Sequence, residues 1–231
     1  MSDQRDTQKR HAAEAAAALV QDGMAVGLGT GTTAYWVIET LGQRVRAGLS
    51  IVAIATSERS DAQARGLGIK MTSFDERRSL DLTIDGADEI SPTLDLIKGL
   101  GGALLREKIV AAASARLVIV ADQTKLVKQL GATPVPVEVV PFGWQTTAAR
   151  IERLGGKPTL RAGNDGAPFR TDGGNLILDC AFGPIADPAS LDSRLSATLG
   201  VIATGLFPGM AKAAFVAGPD GVKQLTSSYS S

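Results

Sequence analysis

The chain has 231 residues, 44% hydrophobic and 21% charged, with 24 basic and 24 acidic side chains. That composition is ordinary for a folded globular protein and excludes a disordered or collagen-like chain, and the zero net charge argues against a dedicated nucleic-acid binder. One cysteine (Cys180) and one histidine (His11) exclude an intrachain disulfide, a multi-cysteine zinc site and any metal site built on two histidines.

Residues 7–21 read as an alanine-rich helix whose apolar stretch, Ala15 to Val20, is too short for a secretory signal. No run approaches the ~18 apolar residues of a membrane span. A cytosolic, soluble protein without a membrane partner is therefore expected. Met24 to Leu28 reads as a short apolar strand and Thr33 to Val45 as a helix. Ser50 to Ala55, Leu80 to Asp85 and Leu117 to Ala121 read as further strands, with helices at Glu58 to Arg65 and Gly102 to Ala113. Short apolar strands alternating with helices predict an α/β fold. Its sheet should be open, mostly parallel and Rossmann-like, with helices on both faces and right-handed crossovers.

The texture changes after Leu130. The run TPVPVEVVPF is extended, but its three prolines suit an edge strand or a linker. Residues 144–154 look helical, 158–161 and 168–171 strand-like, Asn175 to Cys180 a strand and Leu191 to Leu199 a helix. This mixture predicts a smaller α+β domain. The tail, AAFVAGPDGVKQL, reads as a strand and a short helix that return to the first sheet. The expected division is a catalytic domain over 1–129, a lid or oligomerisation domain over 130–207 and a returning segment over 208–231.

Four segments carry chemistry. In VGLGTGTTAYW, Gly27, Gly29 and Gly31 permit tight turns between a strand and a helix. The helix N-terminus and the hydroxyls of Thr30, Thr32 and Thr33 suit an anion. Thr32 stands where a dinucleotide fingerprint needs its third glycine, and no Gly-Lys-Ser/Thr follows, so a small monophosphate fits better than a nucleotide. A glycine-rich turn that binds nothing is the plainer alternative. In DLTIDGADEI, Asp85 ends an apolar strand and Asp88 lies just beyond Gly86 and Ala87. Carboxylates there can accept from sugar hydroxyls or hold a divalent metal; a solvated turn is equally compatible with the pattern.

In IKGLGGALLREKIV, Lys98 ends a strand and precedes the turn Gly99, Leu100, Gly101, Gly102. Glu107 lies in the second turn of the following helix. Periodicity sets Leu105, Ile109 and Ala112 on one apolar face with Glu107 roughly opposite, which reads as a solvated glutamate. A catalytic role requires that side to border a cleft, where desolvation would raise the carboxyl pKa. Lys125 follows the LVIVA strand and Lys9 lies on the first helix; either can meet a phosphate as a point charge, although a lone lysine is usually a solvated one.

Taken together, GLGTGTT, TSERS at 56–60, TIDGADEI, IKGLGGALLREKI, ADQTKLV, PVPVEVVPF and GNLILD resemble ribose-5-phosphate isomerases of the A type, in order and over nearly the whole chain. The resemblance implies interconversion of ribose 5-phosphate and ribulose 5-phosphate in the non-oxidative pentose phosphate pathway, with no metal or cofactor. It implies that Glu107 is the base, and that Asp85, Asp88 and Lys98 serve the chemistry. It also implies that Thr30, Gly31, Thr32, Thr33, Asp85, Gly86, Ala87, Asp88, Lys98, Gly99, Leu100, Gly101 and Lys125 line the sugar-phosphate site, with Lys9 near the phosphate. A homodimer or homotetramer is implied as well. Leu100 interrupts a run that is all glycine in much of the family; a leucine there is costly if the backbone needs positive φ. The rival readings are a sugar-phosphate sensor, which would have no use for Asp85, Asp88, Lys98 and Glu107, and a related deaminase or coenzyme A transferase. The lack of a core histidine counts against the deaminase.

Overall fold

The computed structural model describes residues 2–227, with side chains from Arg5 onwards. In chain order the elements begin α1 (Ser2–Ala17), β1 (Ala25–Leu28), α2 (Thr32–Arg46), β2 (Val52–Ala55), α3 (Glu58–Gly66) and β3 (Lys70–Met71). There follow β4 (Leu82–Asp85), β5 (Glu89–Ile90), β6 (Leu96–Ile97), α4 (Leu104–Ala112) and β7 (Leu117–Asp122), which runs into a 3-10 turn at Gln123–Lys125. The remainder is β8 (Val135–Val139), α5 (Trp144–Arg153), β9 (Lys157–Leu160), β10 (Leu176–Ala181), α6 (Pro188–Ser196), β11 (Val201–Thr204), β12 (Leu206–Phe207), β13 (Ala211–Gly218) and β14 (Gly221–Thr226).

The main sheet has the order β14-β13-β7-β4-β1-β2-β3. Every pair in it is parallel except the β13–β14 hairpin. The chain leaves β1 towards β2 and β3, then crosses back to lay β4 on the other side of β1. The crevice between the ends of β1 and β4 is thus a topological switch point, where open α/β sheets bind ligands. A four-stranded antiparallel sheet, β11-β8-β10-β9, forms the smaller α+β part, and a short sheet, β12-β6-β5, joins the two.

Strand alternation assigns the faces. Val26, Leu28, Leu82, Ile84, Val118 and Val120 pack with α1, α2 and α3. The alanines Ala12, Ala13, Ala16 and Ala17 are fully buried, so α1 lies close against its neighbours. On the opposite face Ala25, Ile54 and Leu80 pack with Val110 of α4. Thr83 and Asp85 alternate with Leu82 and Ile84 and so point to this α4 side. Room for them comes from glycines: a Cβ on Gly27 would lie 1.9 Å from Thr83 Oγ1, and one on Gly29 2.0 Å from Asp85 Oδ1. These two glycines make space for side chains of the next strand, a role that their reading as a phosphate turn does not include.

Three local expectations are corrected. β8 is flanked on both sides, by β10 and β11, and is neither edge nor linker. Pro136 is tolerated because its ring nitrogen faces the same side as its carbonyl, which accepts from Gly205 N at 2.7 Å just past β11, and the acceptor there, Gly205 O, is already used by Lys98 N at 2.8 Å. Residues 168–171 form only an isolated bridge, Ala162 to Pro168, instead of a strand. The tail is a two-stranded hairpin closed between Gly218 and Gly221, with no helix.

Two glycine substitutions test this packing. Gly27→Ala should lower the unfolding free energy by about 1–3 kcal/mol through overpacking against Thr83 and Val110. Gly66→Ala, in a helix with open space around it, should raise stability by about 0.5–1 kcal/mol. Urea midpoints at unchanged m-value measure both.

Candidate active site

Loops from three strand ends meet at the switch point: Gly29 to Gly31 after β1, Gly86 to Asp88 after β4, and the 3-10 turn after β7. Lys98 to Gly102 and the start of α4 close the fourth side. Together they border a cleft of about 210 Å³.

At its floor three charged side chains are buried together. Lys98 Nζ lies 3.0 Å from Asp85 Oδ2 and 3.5 Å from Glu107 Oε1, and it donates to the carbonyl of Gly86. Lys98 is 2% exposed, Asp85 1% and Glu107 4%, so water screens none of these charges well. Asp85 Oδ1 accepts from Thr30 N at 3.0 Å and Gly86 N at 2.7 Å. Asp85 Oδ2 has no aligned donor among the described residues and is compensated by the ammonium. Burial pulls the Lys98 ammonium down, but Asp85 and then Glu107 outweigh it and hold it up at about 12. For Glu107, burial is the largest influence and raises the carboxyl; Lys98 opposes it, and Asp85 and Asp88 add to it, leaving the group pushed up to about 8. Among the described residues Glu107 Oε2 has no hydrogen-bond partner, and the residue borders the cleft.

This overturns the solvated reading of Glu107. The buried stripe of α4 is Leu104, Glu107, Val110 and Ala111. Ile109, assigned to the core face by periodicity, is 47% exposed.

The Gly-Thr loop has two sides. Gly31 takes φ of 111° and no side chain caps α2, so the helix N-terminus opens into the cleft at Gly31, Thr32 and Thr33. Thr30 faces the other way with its hydroxyl: Oγ1 lies 2.7 Å from both Thr56 Oγ1 and Ser57 Oγ, and 3.3 Å from Ser60 Oγ. Ser60 Oγ donates in turn to Gly29 O at 2.8 Å. The TSERS segment thus supports the loop from behind, and the Thr30 hydroxyl is engaged there.

In the second glycine turn the positive φ values fall on Gly99 (97°) and Gly102 (86°), not on Leu100. Leu100 N donates to Asp88 Oδ2 at 2.9 Å, and its side chain, 42% exposed, points away from the cleft. The conformational cost anticipated at Leu100 does not arise.

Of the residues expected at the site, Lys9, Thr30, Gly31, Thr32, Thr33, Gly86, Ala87, Asp88, Lys98, Gly99, Gly101, Glu107 and Lys125 border the cleft. Asp85 and Leu100 do not; Asp85 lies behind it, committed to two N–H groups and Lys98. That commitment also leaves the Asp85–Asp88 pair unsuited to a metal. Arg5, Asp122 and Thr124 border the cleft without having been anticipated. Arg5 is four residues before Lys9, hence on the same helix face. Asp122 Oδ1 accepts from Thr124 N at 2.9 Å, the Asx turn that D-x-T spacing signals, and this turn presents Lys125.

A family model described as ribose 5-phosphate isomerase A (phosphoriboisomerase A) matches residues 52–221. The ribose-5-phosphate isomerase A of Gloeobacter violaceus is 56% identical over 225 residues, 96% of this chain and 97% of its own. The structure of ribose 5-phosphate isomerase A from Methanocaldococcus jannaschii superposes with a TM-score of 0.92 at 38% identity, covering 95% of this chain and 98% of that one. A D-ribose-5-phosphate isomerase in complex with phospho-erythronic acid gives a TM-score of 0.94 at 36% identity, covering 96% and 99%. A buried carboxylate beside a lysine at the switch point of such a sheet is thus found in a chain that belongs to the ribose-5-phosphate isomerase A family and isomerises ribose 5-phosphate.

Proposed function

We propose that Glu107 is the base that carries one proton between C2 and C1 of open-chain ribose 5-phosphate. The supporting observation is its buried carboxylate on the cleft wall, with Oε2 unpartnered among the described residues and Lys98 Nζ 3.5 Å from Oε1. Glu107 takes the C2 proton, the C–H electron pair becomes the C1–C2 double bond, and the aldehyde oxygen becomes the enediolate oxyanion. The same carboxyl returns its proton to C1, and a proton moves from O2 to O1, giving ribulose 5-phosphate. Asp88 lies at the cleft with one oxygen held by Leu100 N, so its other oxygen serves the hydroxyl transfer. Asp85 acts through Lys98 and is a positioning residue. Lys98 supplies the positive charge that favours the oxyanion. The phosphate sits at the N-terminus of α2, between Thr32, Thr33, Lys9 and Lys125, and this anchorage orients the reacting carbons. Phospho-erythronic acid, held by a relative, supports this reading: its carboxylate puts two oxygens on one planar carbon, as the enediolate does on two.

Replacing Glu107 by Gln should lower kcat by roughly 10²–10⁴ with KM changed only a few-fold. Phospho-erythronic acid should still bind the variant. Ketose formation from ribose 5-phosphate in the presence of a chelator measures this, and a kcat within about tenfold of the parent would remove Glu107 as base.

The pH dependence follows from the same group. A base must be ionised to accept a proton, and burial favours its protonated form. The acid limb of kcat/KM should therefore move up from the usual carboxylate range towards about 8. Below that limb the rate falls about tenfold per pH unit. A limb at an ordinary carboxylate pKa would show that Glu107 ionises freely.

The cytoplasm is the compartment that suits this activity, and a homodimer or homotetramer is the assembly. Phe142 (94% exposed) and Leu199 (76%) lie where Val140 N donates to Gly200 O at 3.0 Å, beside the outer strand β11. They give the small domain an apolar outer edge suited to a second copy of the chain. Phe142→Asp with Leu199→Asp should yield a smaller particle by light scattering, while an unchanged mass would place the contact elsewhere.

A further inference from the structure

The glycine turn is held from outside by a residue of the small sheet. Arg161, just beyond β9, donates through Nη1 to Gly99 O and to Leu100 O, each at 3.0 Å. Its other edge forms a fork with Asp179 of β10: Nε donates to Oδ2 at 2.9 Å and Nη2 to Oδ1. The guanidinium also stacks 5.9 Å from the Phe169 ring, which fills the space beside Gly102 where a Cβ would lie 2.4 Å away. The side chain is 11% exposed. Planarity, five fixed donors and permanent charge suit arginine, and not lysine, to such a junction.

Two consecutive carbonyls bound to one guanidinium determine where the matching N–H groups point. No described peptide is cis, and in a trans peptide the C=O and N–H are antiparallel. The Gly99–Leu100 peptide directs its oxygen to Arg161 and its N–H to Asp88 Oδ2 at 2.9 Å. The Leu100–Gly101 peptide likewise directs its oxygen to Arg161, so the Gly101 N–H points the opposite way. Gly101 borders the cleft, and its N–H makes no hydrogen bond within the described residues.

We propose that Arg161 is a positioning residue for the isomerisation: from the small domain it orients the glycine turn so that the Gly101 N–H donates to the oxyanion forming on the sugar. This rests on the enediolate reading above. Lys98 and Glu107 flank the turn, so a few tenths of an ångström at Leu100 shift all three groups relative to one another. The phosphate end, at α2, does not touch Arg161.

The test compares Arg161→Lys and Arg161→Gln with the parent enzyme. In both, kcat should fall roughly 10- to 100-fold, a fraction of what losing an oxyanion donor costs, while KM changes less than about threefold. Binding should split in the same way, with inorganic phosphate competing within about twofold of its parent Ki and phospho-erythronic acid losing about tenfold or more. Asp179→Asn should give the same split in milder form. A folded Arg161→Lys variant with parent kcat, or equal losses for phosphate and phospho-erythronic acid, would overturn the proposal. Variants that fail to fold would assign Arg161 to the stability of the domain junction and overturn it as well. A failure of Glu107 as base would instead appear in the Glu107→Gln rate, with the Arg161 binding split intact.

Discussion

An ammonium group with 2% exposure lies between two carboxylates, and the surrounding architecture follows from keeping it there. Burying an isolated ion costs several kcal/mol, and the cost is offset only by close, well-oriented partners. Lys98 has Asp85 at 3.0 Å, Glu107 at 3.5 Å, the Gly86 carbonyl, and the face of Phe207 at 5.5 Å. One cation and two carboxylates are neutral when Glu107 holds a proton and carry one negative charge when it does not. The excess is therefore felt at Glu107, whose second oxygen lacks a donor among the described residues. In the proposed proton abstraction that negative charge passes from Glu107 to the sugar oxygen. The total charge beside Lys98 stays constant, so one preorganised cation serves both states without solvent rearrangement.

The rest of the site consists of groups that hold this trio in place. Gly29 has no Cβ, so Asp85 can fit beneath it; Thr30 and Gly86 offer Asp85 their N–H groups. Thr56, Ser57 and Ser60 engage the Thr30 hydroxyl, and Ser60 also engages the Gly29 carbonyl. Arg106 reaches both Glu58 and Asp172, and Glu58 N donates to Asp172 Oδ2 at 3.0 Å, so the small domain is tied to the start of α3 next to these hydroxyls. Supports of this kind, one layer behind the reacting groups, convert loops into a fixed cradle.

The alternation of buried strands and helices made the parallel sheet legible, because a sheet covered on both faces needs continuous apolar runs. Strand ends then located Asp85, Lys98 and Lys125. Glu107 was hidden by α4 itself: Leu104, Leu105, Ile109 and Val110 spread around the helix, so periodicity had no unique face to select. The true buried stripe contains a glutamate, which a hydrophobic pattern excludes by construction. In β8 the prolines read as an edge signal, which holds only if the missing N–H would have had a partner; at Pro136 the acceptor on that side, Gly205 O, is taken by Lys98 N. In the tail, VKQLT is an exposed edge strand whose lysine and glutamine look helical when separated from the strand beside it.

Leu100 shows what kind of information a side-chain pattern lacks. Positive φ falls on the flanking Gly99 and Gly102, where an added Cβ would meet Leu104 at 2.6 Å and Phe169 at 2.4 Å. Leu100 itself projects its side chain outward and contributes only its peptide groups: the N–H to Asp88, the carbonyl to Arg161. At such a position many L-residues satisfy the geometry, because Asp88 and Arg161 are met by its peptide groups and not by its side chain. The cleft is thus bounded in part by backbone dipoles, and the side chains that orient them, Asp85, Asp88 and Arg161, come from two separate stretches of chain. The residues bordering a substrate and the residues fixing its chemistry are, for this reason, overlapping but different sets.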